Sequence, residues 1–264
     1  MVLPEGPLAV LLGISQTLYV LIVLTLGIRL ALLASRTRKL PEALLCVHFL
    51  LCCSLGYLLL GIGIPAAYQP GFLPTWAIAP LIAAGHFASC VGVWTGVVFN
   101  WLVFRREAVW ARHLVWLSAI ALATGYLGAG LSGGFTRGTL EGVWIWLIYG
   151  TYTAAAAWVM VEPLRHYAIM RKRLRLGLAE PLVANRFLLW GSGSVCRFVM
   201  LVMGATPTLL THYIPPEIWP TVVSMTLISV AVAGLGVSVC YWLVFFPPRA
   251  YVRLITRSDA TVGG

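Results

Sequence analysis

Apolar residues run through this chain in blocks of about twenty or more, broken only by short clusters of charge, glycine and proline. Roughly 20 such residues are needed to cross ~30 Å of hydrocarbon as a helix. Seven segments meet that length: 8–33, 41–64, 73–104, 114–131, 143–167, 183–210 and 218–246. A backbone in lipid must satisfy its own hydrogen bonds, so each segment is predicted to be an α-helix, and the fold class an all-α integral membrane protein with a seven-helix bundle. The breaks agree with that reading. Pro41 stands at a helix start, Gly63-Ile64-Pro65 is expected to close span two, and Pro247-Pro248 to stop span seven. The bundle is expected to occupy 1–248 as a single transmembrane domain, with 249–264 as a tail.

Composition excludes a water-soluble globule: the chain is 60% hydrophobic and 10% charged, with mean hydropathy +0.92, where soluble domains carry about a quarter charged residues. The net charge of +10 would suggest nucleic acid if it were spread over a soluble surface. Its placement gives another explanation. Arginines and lysines crowd the first, third and fifth connections and the C-terminal tail, while the second, fourth and sixth connections hold only Arg137. That alternation predicts an outer N-terminus and a cytoplasmic C-terminus. The expected partners are therefore membrane lipids, a small-molecule ligand and a cytoplasmic protein, with no nucleic acid. Lys39 and Lys172 are the only lysines among 18 basic residues. So strong an arginine bias suggests a GC-rich bacterial genome, hence a bacterial cytoplasmic membrane. The N-terminus lacks the basic region of a signal peptide and reads as the start of the first span. All six cysteines fall inside predicted spans, which argues against a disulfide framework. In the tail, Tyr251, Leu254 and Ile255 share one helical side with arginines elsewhere, as in a short interfacial helix. Residues 258–264 are expected to lack fixed structure.

An ionisable group deep in hydrocarbon is a functional candidate by default. Arg197 lies about fourteen residues into span six, too deep to reach the interface easily, and Trp190 and Ser194 share its face at i, i+4, i+7 spacing. His86 in span three, Gln16 in span one, and Tyr149 and Tyr152 in span five lie at similar depth. Together these seven residues form a candidate ligand pocket. Arg197 would offer charge and a donor fork to an anionic or carbonyl-bearing ligand, and the others orienting hydrogen bonds. The competing account satisfies Arg197 with backbone carbonyls, serines and tyrosines, so that it fixes helix registry and binds nothing. Glu162, followed by Pro163, is a candidate for proton handling or gating; an interfacial ion pair is the competing account.

Other chemistries find less support. His48 and Cys52 stand at i, i+4, but nothing completes a zinc spacing. His48 and His86 are the two histidines well inside spans that a haem would need, and a packed, hydrogen-bonded role is the expected one for both. Gly191-Ser-Gly-Ser194 lacks a base and an oxyanion hole, so no catalytic residue is assigned and no cofactor expected. Neither lysine lies in a span, which excludes a retinal Schiff base. The seven-helix outline is similar to that of rhodopsins and G-protein-coupled receptors, none of whose sequence motifs occurs. The leading expectation is a receptor-like or sensor protein binding a small amphipathic or anionic ligand. A transporter or permease is the alternative, followed by a membrane-embedded lipid- or quinone-active enzyme and a structural subunit of a larger complex.

Overall fold

A computed structural model describes residues 6–69, 71–138, 140, 142–210 and 213–260. Among the described residues there are no strands, and seven helices are long and apolar enough to cross a membrane: α1 Pro7–Thr37, α2 Leu40–Tyr68, α3 Thr75–Phe104, α4 Val109–Leu131, α5 Gly142–Arg175, α6 Pro181–Leu210 and α7 Trp219–Phe245. The protein is an all-α, multi-pass membrane protein. An eighth helix, α8 Arg249–Ala260, follows the Pro247-Pro248 break. It runs three residues into the stretch expected to lack structure; 261–264 lie outside the described residues.

The helices overrun several expected ends. Pro65 does not terminate α2, which continues to Tyr68. A proline removes one backbone donor, and in lipid a helix that continues leaves fewer groups unsatisfied than one that frays. The charged ends of α1 and α5 are also helical, out to Thr37 and Arg175. Between α1 and α2 only Arg38 and Lys39 remain, and Arg38 turns the chain with φ 53°, the left-handed region that non-glycine residues seldom occupy. The Thr37 hydroxyl and the Glu42 carboxylate hydrogen-bond across this turn.

Two membrane helices contain stretches wound as π-helix, His48–Gly56 in α2 and Trp146–Gly150 in α5. The wider winding changes which side chains are neighbours. His48 and Cys53 are five residues apart and would diverge by about 140° on an α-helix. Here Cys53 Sγ lies 3.7 Å from His48 Nε2, and the Ser54 hydroxyl donates to the Phe49 carbonyl, also five residues back, at 3.0 Å.

The chain divides into two compact units. The first comprises Val23–Ala155, and thus the second half of α1, all of α2, α3 and α4, and the start of α5. Its core is built from Val23, Leu26, Phe49, Ile82, Val97, Ala111 and Ile148, all buried. The α2 and α3 backbones touch closely: a Cβ on Gly92 would stand 2.4 Å from the Cys52 amide nitrogen. Small residues allow such approaches where helices gain little from hydrophobicity alone. His48 Nδ1 donates across this contact to the Gly92 carbonyl at 2.7 Å.

The second unit comprises Pro4–Ile22 and Ala156–Gly264. In it the first part of α1 is held to α7 by the buried Ser15 hydroxyl, which donates to the Ala231 carbonyl at 2.7 Å. The α8 helix is tied to the start of α6 by Asn185 Nδ2 donating to the Tyr251 hydroxyl at 2.7 Å.

Candidate functional site

Three of the expected ligand residues, His86, Tyr149 and Tyr152, come together in the first unit. His86 projects from the part of α3 between Ile82 and Asn100 that holds its buried residues, and the side chain is only 2% exposed. Tyr149 stands edge-on to it, with centroids 6.4 Å apart and planes at 84°. Tyr152 packs on Tyr149 at 5.8 Å, and its hydroxyl is 3.3 Å from the thiol of Cys90, one turn beyond His86 on α3. The π-helical turn Trp146–Gly150 shapes this group, because Tyr149 lies within it and Tyr152 just after it. Insertions of that kind re-aim side chains and are frequent at functional sites.

A further ring comes from outside the expected spans. After α4 the chain makes a single helical turn, Gly134–Arg137, flanked by Gly133 and Gly138 with φ 75° and 72°. Both angles favour glycine. Phe135 on this turn stacks on His86, with centroids 5.9 Å apart and planes at 25°, and on Tyr126 of α4 at 5.1 Å. The imidazole thus has Phe135 stacked on it and Tyr149 edge-on, and among the described residues its Nδ1 has no hydrogen-bond partner. Buried polar atoms in native structures are nearly always paired, so an exception asks for an explanation. An imidazole can donate to or accept from a ligand oxygen there. The sequence marked His86 and the two tyrosines but missed Phe135 and Tyr126. The Gly133-Gly134 and Gly138 spacing was the available signal for a tight turn here.

Asn100 is a further buried polar group on α3, 1% exposed with no partner for Nδ2 among the described residues. It lies fourteen residues from His86, roughly 21 Å along the axis, and so does not share this aromatic group. His48, the other histidine inside a span, has Nδ1 on the Gly92 carbonyl and Nε2 facing the Cys53 thiol. Among the described residues, no group of three or more histidine, cysteine or carboxylate side chains is arranged to hold a metal ion.

The remaining expected residues, Gln16, Trp190, Ser194, Arg197 and Glu162, belong to the second unit. Arg197 and Gln16 are half-buried. Ser194 is 3% exposed, and its hydroxyl lacks a partner among the described residues. Trp190, one turn earlier, packs on Phe245 of α7 at 6.3 Å. Glu162 is buried in α5 at 2% exposure and accepts a hydrogen bond from Trp158 Nε1 at 3.2 Å, while His166 Nδ1 donates to the Glu162 carbonyl at 3.0 Å. Between α6 and α7 a shallow cleft of about 240 Å³ is lined by Met203, Thr206, Met225 and Ser229. Three of its hydroxyls are committed locally, since Thr206, Thr226 and Ser229 donate to carbonyls on their own helices.

Comparison with known proteins finds no matching family model, no matching curated protein and no matching solved structure.

Proposed function

We propose that this multi-pass protein is a receptor-like sensor of the cell membrane, with its N-terminus outside and its C-terminus in the cytoplasm, whose recognition group is His86 between Phe135 and Tyr149, with Tyr152 packed behind Tyr149. The observation that carries the reading is the His86 Nδ1, in a side chain at 2% exposure and without a partner among the described residues. A small amphipathic or anionic ligand would place an oxygen on that nitrogen and its apolar part against the rings, displacing Phe135. Apolar walls with a few placed polar groups are the usual composition of small-molecule sites. The alternating basic connections support the orientation, and the arginine bias a bacterial cytoplasmic membrane.

The test is mass spectrometry of small molecules that copurify with the protein in nanodiscs, comparing the native chain with His86→Phe. A discrete species held by the native chain and lost from a folded His86→Phe supports the assignment. Identical lipid-only profiles overturn it. The second reading, a transporter or permease, is favoured by Glu162, a carboxylate at 2% exposure in a membrane helix and followed by Pro163. Proton-coupled solute flux in proteoliposomes that disappears in Glu162→Gln would select that reading over the sensor.

A further inference from the structure

Within the second unit, the connection between α5 and α6 and the helix α8 combine two kinds of exposed residue that seldom share a water-facing surface. Arg171, Lys172, Arg173 and Arg175 at the end of α5, Arg186 near the start of α6, and Arg249 and Arg253 of α8 are all exposed. Leucines stand out beside them: Leu176 and Leu178 are 72% and 71% exposed, and Leu254 is 68% exposed. The 171–186 segment carries one carboxylate, Glu180. A purely aqueous surface favours the charges and penalises the leucines, whereas a contact with another protein would commonly pair some of the arginines with partner acids.

Both segments directly adjoin the ends of helices long and apolar enough to cross a membrane. Three residues separate the last residue of α7, Phe245, from Arg249, and five separate Arg175 from Pro181 of α6. The Asn185 to Tyr251 hydrogen bond ties α8 to α6, which brings the two basic segments onto one structural element. On α8, at about 100° per residue, Arg249 and Arg253 lie opposite Tyr251 and Leu254. That division suits a helix lying in a headgroup layer with its leucine toward the acyl chains.

We infer that the α5–α6 connection and α8 form a binding surface for anionic phospholipids, with Arg and Lys side chains holding headgroup phosphates while Leu176, Leu178 and Leu254 enter the acyl region beneath. Arginine suits this role because its fork engages phosphate oxygens in pairs. The surface is independent of the His86 site, and neither assignment stands or falls with the other.

The test uses the full chain reconstituted in mixed phosphatidylcholine and phosphatidylglycerol bilayers, with spin-labelled forms of each lipid as probes of association at the protein boundary. At low salt the native protein is expected to prefer phosphatidylglycerol by about fivefold, the worth of one basic residue near an anionic surface, and to lose the preference in high salt. Replacing Arg171, Lys172, Arg173 and Arg175 by Gln should remove most of the preference. Because those residues also contribute to orientation in the membrane, Arg249→Gln/Arg253→Gln is the second variant. It lies after the last spanning helix and should remove part of the preference with insertion intact. An unchanged ratio in both variants, each with native far-UV circular dichroism, overturns the assignment. So does a native protein with no preference, which would leave an acidic protein as the occupant of the surface.

Discussion

His86→Phe should not weaken the fold, although it replaces a residue at the centre of the candidate site. The imidazole is 2% exposed and its Nδ1 has no partner among the described residues. A buried, unsatisfied polar atom costs about 1–3 kcal/mol, and phenylalanine removes it. The ring contacts with Phe135 and Tyr149, each worth about 0.5–1.5 kcal/mol, are kept and largely cancel from the difference. Against the gain stands the larger six-membered ring in a packed site, at a cost of about 1 kcal/mol. The net expectation runs from no change to a stabilisation of about 2 kcal/mol, with 1.4 kcal/mol corresponding to a tenfold shift in the unfolding equilibrium. Equilibrium unfolding by dodecyl sulfate in mixed micelles, followed by far-UV circular dichroism, measures it. A loss of more than about 1 kcal/mol would mean that the imidazole makes a net stabilising interaction and is a packing group, not one held ready for a ligand. Stabilisation together with loss of a copurifying molecule would be the trade-off expected of a recognition residue.

Four further outcomes test the packing described above. Gly92→Ala places a Cβ 2.4 Å from the Cys52 amide nitrogen, where backbone cannot yield as a side chain would, and should destabilise the first unit by about 1–3 kcal/mol or more. Gly61→Ala, with nothing within 4 Å of the new atom, should instead stabilise by about 0.5–1 kcal/mol; both are read by the same unfolding titration. Ser15→Ala leaves the Ala231 carbonyl without its side-chain donor and should cost about 0.6–1.7 kcal/mol, the range for hydrogen bonds between membrane helices; a neutral result would show that the contact between α1 and α7 rests on packing alone. Asn185→Ala should raise amide hydrogen exchange across Arg249–Ala260 by about fivefold, the worth of one hydrogen bond near 1 kcal/mol, with exchange in the seven long helices unaltered.

Hydropathy made the number and type of the long helices legible because the solvent imposes them. Roughly 20 apolar residues are the length of hydrocarbon, and helix is the conformation that satisfies such a segment from within. The end of α2 was misplaced at Pro65 because a proline signal that stops helices in water is overridden in lipid. Helix faces were not legible, since spans that are apolar all round carry no stripe to show which side meets which neighbour. Depth along a span was therefore the only guide for grouping His86, Tyr149 and Tyr152, of the first compact unit, with Gln16, Trp190, Ser194 and Arg197, of the second. The π-helical stretches at His48–Gly56 and Trp146–Gly150 were invisible for a related reason: in spans apolar all round they leave no period in the residues themselves. Phe135 looked like an ordinary loop residue, and only the tertiary structure brought it onto His86. By itself, the sequence determined the elements that lipid dictates one segment at a time, while the pairing of side chains that gives His86 its aromatic walls depends on helix rotation and close backbone approach, which exist only once the helices have packed.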